Sequence, residues 1–88
     1  MTTKINIYCL FEGDGNLYGV YSSLKAAHRD ALKICNRSHA RVLLEAPLGY
    51  IPATLEALRG VFQGEIDVKA RYTAGEHSAR IVKTKLKE

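Results

Sequence analysis

Residues 5–21 read INIYCLFEGDGNLYGVY, and this stretch decides the fold of the 88-residue chain. From Ile5 to Phe11, successive side chains fall into two alternating sets, which is the pattern of a β-strand. The pair Asp14–Gly15 is a preferred tip for a two-residue hairpin, because both central residues of such a turn have positive φ. The sequence therefore predicts that Leu17–Tyr21 returns antiparallel to the first strand.

A helix and a buried strand are predicted after this hairpin. Ser22 or Ser23 is placed to cap the helix, because a serine oxygen accepts from the unpaired amides of a first turn. The apolar stripe of this helix begins at Leu24, and the helix ends near Asn36. Ala40–Ala46 is a short aliphatic run, which is typical of a buried strand.

The second half of the chain predicts a helix followed by a hairpin. Pro47–Pro52 is interpreted as a loop, with Pro52 as the first residue of a helix that ends at Gly64. Glu65–Tyr72 alternates apolar with charged side chains and predicts a strand with one face in the core. A turn around Gly75 then leads to a final strand at Ala79–Leu86.

Length and composition favour a single domain. A chain of 88 residues, 47% of them hydrophobic and 25% charged, is large enough for one hydrophobic core and too small for two. The elements predict one two-layer α+β domain over residues 1–88, with a mixed, mostly antiparallel sheet in the order ββαβαββ. Because no apolar run is long enough to span a bilayer and no signal peptide stands out, we expect a cytoplasmic location and no membrane contact.

No catalytic, metal or cofactor constellation stands out in the sequence. His28, Cys35 and His39 are the one close group of soft ligands, but structural zinc sites usually have four, with paired short spacings. Cys35 falls on the apolar stripe of the first helix, which favours a buried free thiol over a nucleophile. His77 lies between Glu76 and Ser78 in a predicted turn, and these residue types are common in exposed turns. We therefore expect a protein that is not an enzyme and holds no cofactor or metal.

The positive charge is concentrated at the C-terminal end. The formal net charge of +4 is carried by the last twenty residues, within a predicted basic hairpin at 65–88. Such a ribbon suits a nucleic-acid backbone or an acidic protein surface. The alternative is that its lysines keep a sheet edge from pairing with other chains. The candidate nucleic-acid-binding residues are Lys69, Arg71, Arg80, Lys83 and Lys85.

The first hairpin supplies a second candidate surface. The predicted pairing sets Phe11 opposite Tyr18, Cys9 opposite Val20 and Tyr8 opposite Tyr21, and we assign the Phe11 and Cys9 face to the core. The opposite face is also apolar, which is typical of a protein interface or a homodimer. The alternative is that the second helix or the Tyr50–Ile51 loop covers it. The candidate protein-binding residues are Tyr8, Leu10, Leu17, Tyr21 and Tyr50.

Residues 17–27, LYGVYSSLKAA, form a hairpin strand that runs into a serine-capped, alanine-rich helix. This run resembles small accessory proteins encoded by tailed phages and their hosts, and the resemblance covers about the first third of the chain. It implies a protein that binds a host protein and inhibits or redirects it. It carries no functional residues over to this chain.

Two functional hypotheses follow from these surfaces. The first is a non-enzymatic protein-binding module, phage-encoded and acting on a host protein or on a second copy of itself through the apolar hairpin face. In this hypothesis the basic hairpin steers the protein toward an acidic partner. The alternative is a small nucleic-acid-binding protein that contacts phosphates through the basic C-terminal hairpin.

Overall fold

The computed structural model describes residues 4–35, 41–45, 48–63 and 69–87. Within these ranges the chain forms six strands and two helices, and the α+β class expected from the sequence is confirmed. In chain order the elements are β1 (Lys4–Glu12), β2 (Leu17–Tyr21), α1 (Leu24–Cys35), β3 (Arg41–Glu45), β4 (Leu48–Ile51), α2 (Leu55–Phe62), β5 (Lys69–Ala74) and β6 (His77–Lys87).

The six strands form one sheet in the order β2-β1-β6-β5-β3-β4. All pairings among the described strands are antiparallel. Strand β4 is an addition to the predicted order: the sequence predicted a loop over Pro47–Pro52, whereas Leu48–Ile51 pairs with β3. Two prolines close to each other favoured a loop, but Pro52 follows the strand, where its missing amide costs no ladder hydrogen bond, and Pro47 lies outside the described residues.

Both helices pack on the same face of this sheet. The Tyr8 ring meets the Phe62 ring of α2 edge-on at a centroid distance of 5.9 Å, and Tyr72 of β5 hydrogen-bonds His28 of α1. The buried core lies between the layers, because the apolar stripes of the two described helices cover this face of the sheet. Its apolar members are Leu10, Leu24, Ala27, Ala31, Cys35, Val42, Leu44, Leu58, Phe62, Ala70, Tyr72, Ala79 and Ile81.

The first hairpin has a three-residue turn in place of the predicted two-residue tip. Gly15 N donates to the Glu12 carbonyl at 2.9 Å, and Gly15 adopts a φ of 92°. These features are typical of a type I turn followed by a left-handed residue. Phe11 consequently pairs with Leu17 instead of Tyr18, while a register shift beside Leu10 restores the predicted pairs Cys9–Val20 and Tyr8–Tyr21.

The prediction of which hairpin face enters the core was wrong. Leu10 is 0% exposed, and Tyr8 and Tyr21 are partly buried against the core, so these three residues face the helices. Cys9 and Val20 lie on the opposite face. Both faces of the hairpin are apolar, so alternation showed a strand without showing which side the helices cover.

Helix and strand ends differ from the prediction in small ways. Ser23 Oγ accepts a hydrogen bond from Ala26 N, which selects Ser23 over Ser22 as the cap of α1. Helix α2 begins after Thr54, whose side chain accepts from Ala57 N, and not at Pro52. The turn around Gly75 is tighter than predicted, because β5 continues to Ala74 and β6 begins at His77. The predicted ends at Asn36 and Gly64, and the start of the strand at residues 65–68, lie outside the described residues.

Candidate functional site

The face of the sheet opposite the helices carries one row of side chains across all six strands. Directly paired residues in a sheet project to the same face, so a chain of paired residues traces a line across it. We call this line the transverse row. From the β4 edge to the β2 edge it consists of Tyr50, Leu43, Arg71, Arg80, Phe11 and Leu17.

The transverse row is long, with cationic side chains at its centre and an aromatic ring in each half. Five strand spacings of about 4.8 Å give it a span of roughly 24 Å. Its centre is Arg71 and Arg80, and its two halves carry the rings of Tyr50 and Phe11. Tyr50 is 62% exposed, so its ring is accessible to a ligand. The row therefore presents two cations between two aromatic rings.

Arginines and aromatic rings are in direct contact on this face. The Arg80 guanidinium lies 5.4 Å from the centroid of the Phe11 ring, and the Arg41 guanidinium lies 4.4 Å from that of Tyr50. Both distances are within the range of a cation–π interaction. Arg41 lies on β3, two residues before Leu43 of the transverse row, and its side chain contacts the Tyr50 ring at the end of that row. Cations and rings are interleaved here, which was not evident from the sequence.

The Glu45 carboxylate is within ion-pair distance of both central arginines. Glu45 Oε1 is 3.3 Å from Arg71 Nη2 and 4.0 Å from Arg80 Nη1. Lys69, which pairs with Val82, adds a further positive charge to the same face. Among the described strand residues, this face holds four cationic side chains and one acidic side chain, so it is positively charged.

A cleft of about 160 Å³ adjoins the arginine pair. It lies where the β1–β2 turn approaches the start of β6. Gly13 permits this approach, because a Cβ at that position would lie 2.5 Å from Ser78 Oγ. The residues that line the cleft include Phe11, Gly13, Arg71, Ser78 and Arg80.

The β2 edge of the sheet carries exposed apolar side chains. Leu17, Tyr18 and Val20 are 56%, 47% and 55% exposed. Of the predicted protein-binding residues, only Leu17 and Tyr50 are exposed, and they lie at opposite ends of the transverse row. The predicted patch therefore does not exist as a continuous surface.

The predicted basic residues are divided between the two faces. Lys69, Arg71 and Arg80 lie together on the face opposite the two described helices, which we call the uncovered face. Lys83 was assigned wrongly: it is 7% exposed, pairs with Tyr8, and its ammonium donates to the Phe62 carbonyl on the helix side. The side chain of Lys85 lies outside the described residues. Successive side chains of a strand alternate between its two faces, so Lys83 lies on the same face as the core residue Ile81, and Arg80 lies on the opposite face. This alternation could have assigned Lys83 and Arg80 to different faces from the sequence.

Three titratable side chains lie where α1 packs on the sheet: His28 and Cys35 of α1 and Tyr72 of β5. Tyr72 Oη and His28 Nδ1 are 2.6 Å apart, and burial lowers the pKa of His28 and raises that of Tyr72. Burial also raises the pKa of the Cys35 thiol, which opposes formation of a thiolate nucleophile. No group of three His, Cys, Asp or Glu residues within the described ranges is arranged to hold a metal ion. His39 lies outside those ranges.

Comparison with known proteins gives no assignment: no family model, curated protein or solved structure matches this chain. Neither of the two described helices has the length and apolar character needed to cross a bilayer.

Proposed function

We propose that this protein binds single-stranded nucleic acid on the uncovered face of its sheet, without catalysing a reaction. The observation that carries the proposal is the transverse row, in which Arg71 and Arg80 lie between the rings of Phe11 and Tyr50. Binding of single strands requires cations for the phosphates and aromatic faces on which unpaired bases stack. Both are present within one continuous surface.

The shape of the site favours single strands over a duplex. A duplex is read by an element that enters a groove, whereas this face is a sheet surface with no described helix projecting from it. Exposed rings such as Tyr50 contribute through stacking only when bases are unpaired. The surface also has arginine as its main cation, and arginine combines phosphate binding with stacking on rings.

The test is fluorescence anisotropy with labelled 12-mers of thymidine and of uridine, and with a 12-bp duplex, over a series of salt concentrations. We expect the double variant Arg71→Gln/Arg80→Gln to weaken single-strand binding and to lower the magnitude of the salt slope by about 1.4. Each lost phosphate contact on a single strand accounts for about 0.7 of that slope. Tyr50→Ala should cost about 1–3 kcal/mol of binding free energy through lost stacking.

The matched control removes two positive charges from the helix side. Lys25 and Arg59 are exposed residues of α1 and α2, so Lys25→Gln/Arg59→Gln changes the net charge equally and leaves the transverse row intact. We expect this control to bind much more tightly than the Arg71→Gln/Arg80→Gln variant. Equal losses in both would mean that net charge, and not this face, accounts for binding. Preference for the duplex would contradict the proposal.

A second candidate function is association with another copy of the same chain through β2. Strand β2 forms one edge of the sheet and reads LYGVY, with neither a charged residue nor a proline. Natural edge strands usually carry such residues to prevent pairing with other chains. The exposed side chains of Leu17, Tyr18 and Val20 add apolar surface beside the free backbone groups. An antiparallel β2–β2 pair would cover both.

Sedimentation velocity at increasing protein concentration tests this second candidate. We expect a dimer that is lost in Val20→Lys, because a lysine on each strand would place like charges on the paired edge. Lys69→Gln alters charge on the same face away from this edge and serves as the control. A wild-type monomer at every concentration up to about 1 mM would exclude a dimer with a useful affinity.

A further inference from the structure

Arg71 and Arg80 are direct cross-strand partners on β5 and β6. Like charges at directly opposed positions of an antiparallel pair destabilise it. In the free protein this repulsion is offset by Glu45, whose Oε1 forms an ion pair with each guanidinium. Two arginines therefore share one carboxylate oxygen, and the local charge remains positive.

The Glu45 carboxylate is held by two ion pairs and by no hydrogen bond from a described group. Its Oε1 atom is out of contact with solvent, yet no described group gives it a hydrogen bond of good geometry. Its contacts are ion pairs at 3.3 Å and 4.0 Å, and the side chains of Arg71 and Arg80 are 48% and 36% exposed. Partly exposed pairs of this kind contribute little to stability. Replacing this carboxylate by another anion would therefore cost the protein little.

An incoming anion has both space and donors at this point. The cleft of about 160 Å³ beside Arg71 and Arg80 is also lined by Ser78. Guanidinium groups bind the two free oxygens of a phosphodiester through paired N–H donors, in the geometry that they use for a carboxylate. A phosphate can therefore bind these two guanidinium groups in place of the Glu45 carboxylate.

We infer that Arg71 and Arg80 form a phosphate subsite and that Glu45 occupies it in the free protein, so that a ligand phosphate replaces the Glu45 carboxylate. The inference rests on the proposed function, since the phosphate is that of a bound single strand. Glu45 is then an internal competitor that lowers affinity for weaker anions. Its removal frees both arginines for the ligand.

The test compares Glu45→Gln with Glu56→Gln in binding to the thymidine 12-mer. Both variants raise the net charge by one unit, but Glu56 is an exposed residue in the first turn of α2 and lies away from the arginine pair. We expect Glu45→Gln to bind about 2- to 5-fold more tightly than Glu56→Gln, which is the range expected for a lost, partly exposed ion pair. Equal affinities of the two variants would overturn the inference.

A second measurement separates this inference from the proposed function. The Nε–H signals of Arg71 and Arg80 are followed by NMR while pyrophosphate is added to wild type and to Glu45→Gln. We expect both signals to shift, with a lower dissociation constant in Glu45→Gln. If pyrophosphate shifts both signals as expected while neither protein binds the 12-mer, the phosphate subsite is supported and the nucleic-acid function is wrong. If the 12-mer binds but pyrophosphate shifts neither signal, the phosphate subsite is wrong and the nucleic-acid function is unaffected.

Discussion

The Tyr21 hydroxyl donates a hydrogen bond of 2.6 Å to Asp30 Oδ2, which joins the end of β2 to the middle of α1. Burial, followed by this bond to Asp30, raises the pKa of Tyr21 to about 12. The same bond is the main reason that the pKa of Asp30 lies below its usual value. The contact is consistent with the Tyr21 side of the hairpin facing the helices.

Tyr21→Phe is expected to lower the free energy of unfolding by about 1 kcal/mol, because it removes one partly buried hydrogen bond and little apolar area. Urea denaturation at pH 7 measures the change. Tyr18→Phe is the matched control, since Tyr18 belongs to the same strand and is 47% exposed. Equal losses in the two variants would show that the bond to Asp30 contributes nothing.

The Tyr21–Asp30 bond should also affect how the free energy of unfolding decreases in acid. Because the folded-state pKa of Asp30 is lowered, the stabilisation that Asp30 provides is present above its unfolded pKa of about 3.9. It is lost as pH falls through the folded-state value. Unfolding measured from pH 6 to pH 2 should therefore show a smaller loss of stability in Tyr21→Phe than in wild type. Parallel curves for the two proteins would contradict this linkage.

The sequence was sufficient for the class and for most elements, because alternation and capping are local signals. It was insufficient to show which face of the first hairpin the helices cover. Leu10 and Cys9 are both apolar, and only the position of the helices distinguishes them. The three-residue turn at Gly15 added a second uncertainty, since a change of one residue in register exchanges faces.

Truncation of leucines in the first hairpin tests the corrected face assignment. Leu10 is fully buried, whereas Leu17 is 56% exposed, although the sequence predicted that both belong to one surface. Leu10→Ala should cost about 2–5 kcal/mol of unfolding free energy, as is usual for a buried leucine. Leu17→Ala should cost less than about 1 kcal/mol. Similar losses in chemical denaturation would mean that the hairpin faces are not distinguished as described.

The candidate site depended on contacts that no local pattern reveals. Arg71 and Arg80 were identified from composition, but their interleaving with aromatic rings required the order β4-β3-β5-β6-β1. Arg41 and Phe11 are thirty residues apart in the chain, and their strands β3 and β1 are separated in the sheet by β5 and β6. Sequence alone gives no strand order, so their presence on one face could not be derived.

His28 is expected to make stability fall in mildly acidic solution. Burial lowers its folded-state pKa, so its contribution is complete above the unfolded pKa of about 6.5. The contribution is lost as pH falls from that value through the folded-state pKa. Unfolding of wild type and of His28→Gln at pH 7.5 and pH 5 measures the effect, and the variant should show the smaller decrease. An NMR titration that places the pKa of His28 at or above 6.5 would contradict it.

Lys83 and Lys69 separate stability from binding within the basic hairpin. Lys83 is 7% exposed and donates to the Phe62 carbonyl, so Lys83→Met removes a charged donor from a buried carbonyl. We expect it to lower the free energy of unfolding by about 1–3 kcal/mol. Lys69 is exposed on the opposite face, and Lys69→Gln should leave stability within about 0.5 kcal/mol of wild type.

In the 12-mer binding assay, Lys69→Gln should have the larger effect and Lys83→Met the smaller one. Lys69→Gln removes a cation from the uncovered face and should weaken binding, with a smaller salt slope. Lys83→Met, measured at a temperature where it remains folded, should bind as wild type does. Thermal unfolding followed by circular dichroism identifies that temperature. Loss of binding in folded Lys83→Met together with unchanged binding in Lys69→Gln would place the nucleic acid on the helix side and overturn the assignment of the site.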